Sequence, residues 1–264
     1  MPNFLIIGAQ RSGTSSLNHY LRQHPQVFMA PGKELRFFNR NFERGLGWYE
    51  AHFEDSCGAR AVGEATPSYM YEGVAVLRMA EVLPFVRLVA ILRNPVARAY
   101  SHYQMIVARG RETRTFEEAV EEELSQASGA SSYLDQGRYL SQLERLGEQM
   151  PNAPLHVMIT ERFISQPREG FETLCRFLDV DHSFVPLDIG KAVNRYVEFR
   201  SLRLRRIAHS FGQGLVRRGL DALNTKQVDY VPMRLDVQRR LEDVYAEEVR
   251  GLRRYLGVDL SQWW

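Results

Sequence analysis

The sequence predicts an α/β protein in three layers, with helices on both faces of a central, mostly parallel sheet. Short apolar runs of strand length alternate with segments whose apolar residues recur at helical spacing, which is typical of parallel sheets with right-handed crossovers. The run 86–92 is nearly all apolar, as expected of a strand covered on both faces. A chain of 264 residues is also long enough to bury a sizeable core without disulfides or metals.

The predicted strands and helices follow one another along the chain. Strands are predicted at 4–7, 61–63, 86–92 and 155–159. Helices are predicted through 17–21, 74–83, 116–124, 140–150, 171–178 and 241–256. Another helix opens at Pro95, Thr115 is the predicted N-cap of the helix that follows it, and Gly257 ends the last helix. The segment 125–137 is expected to be a loop.

The turn after the first strand has the composition of a phosphate-binding loop. Residues 8–16 read Gly-Ala-Gln-Arg-Ser-Gly-Thr-Ser-Ser and lead directly into a helix. The free amides and dipole of a helix N-terminus favour a phosphate there. The spacing of Gly8 and Gly13 matches a Walker A loop, but Thr14 stands where that motif has its Lys. The fold is therefore expected to be P-loop-like without ATP or GTP cleavage; an ordinary strand–turn–helix corner is the alternative.

Composition limits the classes of partner. The formal net charge of +2 gives no global case for nucleic-acid binding. Cys57 and Cys175 form no disulfide framework and are expected to be free thiols in a reducing compartment. The N-terminus leads straight into a strand without a signal peptide, and no apolar run approaches the length of a membrane span. No compact His/Cys cluster predicts a metal site.

Four motifs in the same order resemble sulfotransferases that use 3′-phosphoadenosine 5′-phosphosulfate (PAPS). The phosphate loop is the first, and the others are Lys-Glu-Leu-Arg-Phe-Phe (33–38), Gly-Glu-Ala-Thr-Pro-Ser-Tyr (63–69) and Leu-Arg-Asn-Pro-Val-Ala-Arg-Ala-Tyr-Ser-His-Tyr (92–103). The pattern is most similar to heparan-sulfate sulfotransferases and their bacterial cousins. The resemblance is strong from residue 3 to residue 105 and weaker beyond.

The resemblance implies a set of residues that bind PAPS and its product PAP (3′-phosphoadenosine 5′-phosphate). The 5′-phosphosulfate would contact the loop residues Arg11, Ser12, Gly13, Thr14, Ser15 and Ser16. Arg93, after a buried strand, and Ser101, two turns into the next helix, are the candidates for the 3′-phosphate. Lys226 is a candidate for the adenosine end, although the family's Lys-Gly-Arg loop is not clearly present.

The resemblance also implies catalytic and acceptor-binding residues. Glu34 is the predicted general base for the acceptor hydroxyl or amine. Arg11 stands where the heparan-sulfate enzymes have a Lys; it can stabilise the leaving phosphate but cannot readily give up a proton. Lys33, Glu64 and Tyr139 are the predicted acceptor-side residues. Ala65 replaces a Lys that is common in the family, and Arg98 is expected to be structural.

The sequence therefore predicts one sulfotransferase domain over residues 1–264, with 190–230 a less regular segment on the substrate side. The expected acceptor is a small molecule or a carbohydrate, and the enzyme is expected to be bacterial and cytoplasmic, without a metal. A homo-oligomer remains open. The basic stretch within 200–220 fits a solvated amphipathic helix, an acidic-acceptor surface or a membrane contact. The rival functions are a P-loop-type small-molecule kinase and a catalytically inactive nucleotide-binding scaffold.

Overall fold

A five-stranded parallel sheet forms the centre of the protein in the computed structural model, which describes residues 1–125, 133–191, 197–199, 225–227 and 232–264. Of 197–199 and 225–227 it describes the backbone alone. The strands of the sheet are β1 (Phe4–Gly8), β2 (Val27–Met29), β3 (Ala61–Ala65), β4 (Arg87–Leu92) and β5 (Leu155–Ile159). They lie in the order β2-β3-β1-β4-β5, and each neighbouring pair is parallel.

Helices connect these strands, as the sequence predicts. They are α1 (Thr14–Leu21), α2 (Gly45–Glu50), α3 (Gly73–Val82), α4 (Pro95–Ala108), α5 (Phe116–Ser125), α6 (Tyr139–Gln149), α7 (Thr160–Ser165), α8 (Pro167–Leu178) and α9 (Leu235–Leu256). The predicted cap of α5 is present as a capping box: the Glu118 amide donates to the Thr115 hydroxyl at 3.2 Å, and the Thr115 amide donates to the Glu118 carboxylate at 2.7 Å. Gly257 ends α9 with a φ of 64°.

The two faces of the sheet bury separate apolar cores. Leu5 and Ile7 of β1 join the core that contains side chains of α3, α4, α6 and α9. Phe4 and Ile6 point to the other face and join the core that contains α1 and α8. Helices therefore cover both faces, and the predicted three-layer α/β fold with its parallel sheet is confirmed.

Several elements differ from the sequence prediction. The three-residue strand β2 and the six-residue helices α2 and α7 were not predicted, and β3 runs two residues beyond 61–63, so that Glu64 lies inside the strand. An antiparallel ribbon pairs β6 (Val197–Phe199) with β7 (Thr225–Gln227). Residues 126–132 and most of 190–230 lie outside the described residues, so the predictions for those segments stay predictions.

Candidate active site

The loop between β1 and α1 lies at the centre of the carboxyl edge of the sheet. Because β1 pairs with both β3 and β4, residues 9–13 emerge between the ends of these two strands, where open α/β sheets bind ligands. Gly13 has a φ of +108° directly before α1, a conformation that a residue with a side chain rarely adopts. No side chain caps the first turn of α1. The predicted loop residues Ser12, Gly13, Thr14, Ser15 and Ser16 thus surround a helix N-terminus that favours an anion.

Three side chains predicted to bind the nucleotide lie together beside this loop. Arg11 donates from Nε and Nη2 to the hydroxyl of Ser101 on α4, at 3.1 and 3.0 Å. Arg93, which directly follows β4, donates from Nη1 to the carbonyl of Arg11 at 3.4 Å. The sequence prediction places Arg11 at the 5′-phosphosulfate and Ser101 at the 3′-phosphate, whereas in this structure the two side chains are hydrogen-bonded to each other. Two guanidinium groups and a hydroxyl in one corner form a site suited to a multiply charged anion.

The predicted base, Glu34, lies between two cations at the edge of the same site. Its carboxylate accepts a hydrogen bond from Arg36 Nη2 at 2.6 Å, and its other oxygen lies 3.6 Å from Lys33 Nζ. Lys33 also donates to the hydroxyl of Ser15 at the start of α1. Lys33 therefore joins the segment that carries Glu34 to the phosphate loop.

The positive charges of Lys33 and Arg11 act on each other. Burial lowers the pKa of the Lys33 ammonium, the Glu34 carboxylate opposes that shift, and the positive charge of Arg11 adds to it. The two cations are thus close enough to repel each other. An anion bound between them would stabilise both charges.

Three residues of the site have left-handed backbone conformations despite carrying side chains. The φ angles are 72° at Arg11, 61° at Glu34 and 52° at Arg36. Such conformations cost about 1–3 kcal/mol each and persist where the surrounding structure fixes them, often at functional sites. The backbone of 34–36 is held by β3, because the Glu34 amide donates to the carbonyl of Ala65 at 3.0 Å.

Glu64 lies in the interior rather than on the wall of the site. Its side chain is 1% exposed, and its carboxylate accepts hydrogen bonds from Tyr49 at 3.1 Å, Tyr69 at 2.8 Å and Thr66 at 2.7 Å. Burial raises the pKa of Glu64, and the three hydroxyl donors oppose that shift. The buried carboxylate is thus enclosed by these partners, and its predicted role in acceptor binding stays a prediction.

Tyr139 is also buried and supports the site from behind. The side chain is fully enclosed, and its hydroxyl donates to the carbonyl of Arg93 at 3.0 Å. Burial raises the pKa of this hydroxyl, so it stays a donor at neutral pH. This contact fixes the residue after β4, and the acceptor contact of Tyr139 stays a prediction.

Two further residues complete that support. The Thr160 hydroxyl contacts the carbonyls of Ser12, at 2.6 Å, and Leu92, at 2.9 Å, and so lies between the ends of β1 and β4. The Arg98 guanidinium is fully buried and donates to the carbonyl of Tyr133, in agreement with its predicted structural role. The position of Thr160 directly after β5 is the only signal that the sequence offered for its role.

A second set of contacts fixes Asn94, the N-cap of α4. The Asn94 side chain accepts from the Ala97 amide at 3.0 Å and donates to the carbonyl of Trp263. Glu161 accepts from the Asn94 amide at 3.0 Å and from the Trp263 indole at 2.9 Å. Trp263 is 4% exposed. The end of the chain thus braces the junction that presents Arg93, which no local sequence signal indicates.

The two histidines near the motifs differ in their surroundings. His102 is buried, and burial together with the charges of Arg98 and Arg11 lowers its pKa to about 3. The ring of His52 contacts the carbonyl of Trp48 at 2.8 Å through Nδ1. Glu34 stays the predicted base, because Lys33 connects it to the phosphate loop.

The remaining predictions concern the adenosine end of the donor, a metal and the membrane, and the role of Lys226 stays a prediction. The backbone of Lys226 pairs with Glu198 in the antiparallel ribbon, and its side chain lies outside the described residues. Within the described part of the chain, no group of three or more His, Cys, Asp or Glu residues could hold a metal ion. Among the described helices, none combines the length and apolar character that a membrane crossing requires.

Comparisons with known proteins agree with this geometry. The sulfotransferase domain family matches residues 1–209. Human heparan sulfate glucosamine 3-O-sulfotransferase 6 is 32% identical over 167 residues, which are 63% of this chain and 48% of that protein. Human bifunctional heparan sulfate N-deacetylase/N-sulfotransferase 2 is 29% identical over 195 residues, 68% of this chain and 22% of that protein. The chain thus spans about half or less of the length of these relatives.

A solved bacterial structure matches the whole chain. The sulfotransferase from Alicyclobacillus acidocaldarius is 28% identical, with a TM-score of 0.76 over 100% of this chain and 98% of that one. The family match covers well over half of the sequence and includes all four motifs around the site. The chain belongs to the sulfotransferase domain family.

Proposed function

We propose that this protein transfers a sulfuryl group from PAPS to a hydroxyl or an amine of a small-molecule or carbohydrate acceptor. The observation that carries the proposal is the meeting of Arg11, Arg93 and Ser101 at the phosphate loop, with Glu34 joined to that loop through Lys33. The site therefore combines an anion-binding corner with a carboxylate at its edge. Donor binding and proton removal are the two tasks that sulfuryl transfer requires.

The proposed reaction is an in-line displacement at sulfur. The acceptor oxygen or nitrogen forms a bond to sulfur while the bond from sulfur to the bridging oxygen of the donor breaks. The acceptor proton passes to the Glu34 carboxylate, and the electron pair of the broken bond leaves with PAP. Arg11 and the amides of the α1 N-terminus stabilise the negative charge that develops on the leaving phosphate, which is where preorganised donors contribute most to a rate.

The Lys33 ammonium serves both halves of this reaction. It lies between Ser15 on the phosphate loop and the Glu34 carboxylate. A cation in that position balances the charge of the migrating group and holds the base close to it. Positioning and electrostatic stabilisation of this kind supply much of the catalysis in group transfers.

Donor binding is tested without knowledge of the acceptor. Thermal unfolding is measured with PAP in the absence of metal, with adenosine 5′-phosphosulfate, and with ATP plus Mg²⁺. A ligand that binds the native state raises the melting temperature. PAP is expected to give the largest shift. A shift with ATP that requires Mg²⁺, without one from PAP, would favour a kinase instead.

Turnover is tested with a panel of acceptors that spans saccharides, phenols, lipids and amines. PAP release from PAPS is followed by mass spectrometry, with sulfated product identified in the same sample. Release that depends on one class of acceptor establishes the reaction and names that class. Tight PAP binding without turnover on the whole panel would favour the inactive scaffold.

A further inference from the structure

Glu64 is a buried carboxylate whose hydrogen-bond partners are hydroxyl groups. Among the described residues it forms no ion pair, and its hydrogen-bond donors are Tyr49, Thr66 and Tyr69. A buried charge is costly unless hydrogen bonds satisfy it, so this cluster has to be matched closely to the carboxylate. The direction of two of these hydroxyls follows from their second contacts, because a hydroxyl that accepts from a backbone amide has its own hydrogen left for Glu64.

Two of these hydroxyls connect Glu64 to the segment that carries Glu34. The Thr66 hydroxyl donates to Glu64 at 2.7 Å and accepts from the Arg36 amide at 3.2 Å. The Tyr69 hydroxyl donates to Glu64 at 2.8 Å and accepts from the Phe38 amide at 3.4 Å. With their hydrogens directed at Glu64, the lone pairs of both hydroxyls face these amides. The backbone on the C-terminal side of Glu34 is thereby tied to β3 at two places.

We infer that Glu64 is a positioning residue, which holds the base Glu34 through the hydroxyls of Thr66 and Tyr69. The inference rests on the proposed function, in which Glu34 accepts the acceptor proton. The left-handed conformations at Glu34 and Arg36 require external support, and the contacts of Thr66 and Tyr69 supply it. Loss of that support would shift the Glu34 carboxylate relative to the phosphate loop.

Tyr49 provides a matched control within the same cluster. Its hydroxyl donates to the same oxygen of Glu64 as Tyr69 does, and both rings are fully buried. The hydroxyl of Tyr49 contacts Glu64 and no amide of 34–38 among the described hydrogen bonds. Tyr49→Phe therefore removes a donor to Glu64 and leaves both connections to 34–38 in place.

The test compares Thr66→Val, Thr66→Ser, Tyr69→Phe and Tyr49→Phe. Amide hydrogen exchange of a peptide covering 34–38 reports the connection directly and needs no acceptor. The kcat for PAP release is measured with the best acceptor of the panel, and PAP affinity is measured in parallel. Thr66→Val is nearly isosteric and removes both hydrogen bonds of the hydroxyl, whereas Thr66→Ser retains them.

Thr66→Val is expected to speed exchange of 34–38 at least 10-fold and to lower kcat about 10- to 100-fold, with PAP affinity within twofold of wild type. Thr66→Ser should restore both values, and Tyr69→Phe should lower kcat in the same way to a smaller degree. Tyr49→Phe should keep kcat within about threefold of wild type, although its melting temperature should decrease about as much as that of Tyr69→Phe. If Thr66→Val does not fold, Tyr69→Phe against Tyr49→Phe decides the question.

Wild-type exchange and kcat in Thr66→Val would overturn the inference. An equal loss of kcat in Tyr49→Phe would also overturn it, because general destabilisation would then explain the effect. Failure of the proposed function has a different signature: wild-type enzyme releases no PAP with any acceptor, while exchange still reports whether Thr66 holds the segment.

Discussion

Glu34 and Arg11 have different tasks at the proposed site, although both belong to one network of charges. Glu34 contacts Lys33 and Arg36, whereas Arg11 contacts Ser101 and supplies its carbonyl to Arg93. The first group would act on the acceptor proton and the second on the leaving phosphate. Substitutions should therefore separate proton removal from charge stabilisation.

Glu34→Gln should lower kcat about 10²- to 10⁴-fold while PAP affinity barely changes, because the amide keeps the size of the side chain but cannot take a proton. The measurement is PAP release at saturating donor and acceptor, with calorimetric PAP binding beside it. Glu43→Gln is the matched control, since Glu43 is largely exposed and its ion-pair partner is Arg78 on α3, not a residue of the phosphate loop. Near-normal turnover in Glu34→Gln would show that another group is the base.

Arg11→Ala should lower kcat about 10²-fold and weaken PAP much less, because Arg11 would act on charge that develops during transfer. Arg11→Lys should retain much of the activity, since Lys keeps the positive charge and the resemblance to heparan-sulfate sulfotransferases implies Lys at this position; a modest loss is expected from its different donor geometry. Wild-type kcat in Arg11→Ala at saturating substrates would remove Arg11 from catalysis. A lower melting temperature with unchanged kcat would indicate that Arg11 stabilises the fold through its contact with Ser101.

At the scale of the elements, sequence patterns predicted what is local and missed what depends on distant contacts. The apolar run of β4 and the glycine positions before α1 are local patterns, and they were enough to predict the parallel sheet and the phosphate loop. No local pattern indicates that Glu64 is enclosed, because its donor Tyr49 reaches it from α2 and the turn after β3 brings Tyr69 back to it. From sequence alone, a carboxylate near the end of a strand is predicted to face the site, because the positions of its hydrogen-bond partners are not known.

The junction of β4 and α4 depends on an element far away in sequence. Trp263→Phe keeps an aromatic ring but removes the indole donor to Glu161, which leaves a partly buried carboxylate oxygen without its partner. The free energy of unfolding should fall by about 1–3 kcal/mol. PAP affinity should also decrease a few-fold, because Glu161 and Trp263 brace Asn94 beside Arg93.

Trp264→Phe is the control for this prediction, since Trp264 is 46% exposed and directly follows Trp263. Chemical denaturation gives the free energy of unfolding, and calorimetry gives the PAP affinity. The control should change stability by less than about 0.5 kcal/mol. Equal effects of the two substitutions would show that the bracing contact contributes nothing.

For the whole molecule, the sheet and its two cores bring together site residues that are 18 to 90 positions apart in sequence. The contact of Arg11 with Ser101 joins residues separated by 90 positions. The sequence could indicate both residues through their motifs, but their mutual distance follows only from the pairing of β1 with β4. Arg36 shows the limit of that reasoning: its contact with Glu34 depends on a left-handed turn that no propensity predicts.

The stability of the whole fold should fall on the acid side in part because of His102. Burial, with the charges of Arg98 and Arg11, lowers the pKa of His102 from its ordinary value of 6.5 to about 3. Between these two values the unfolded chain binds a proton that the folded protein does not bind. The contribution of His102 to the free energy of unfolding therefore rises with pH across this window and decreases as the pH falls. Burial lowers the pKa of His156 as well, which adds a loss of the same sign.

His102→Gln should reduce this loss, because glutamine does not titrate in the window. From pH 7.5 to pH 5, the wild-type free energy of unfolding should decrease by about 2 kcal/mol more than that of His102→Gln. Urea denaturation at both pH values measures the difference, and comparing each protein with itself cancels the cost of the substitution at neutral pH. His182→Gln is the control, since His182 is exposed and its replacement should leave the wild-type decrease in place. An unchanged decrease in His102→Gln would mean that His102 is protonated in the folded protein, and the cations around the phosphate loop would then have to tolerate one more positive charge beside Ser101.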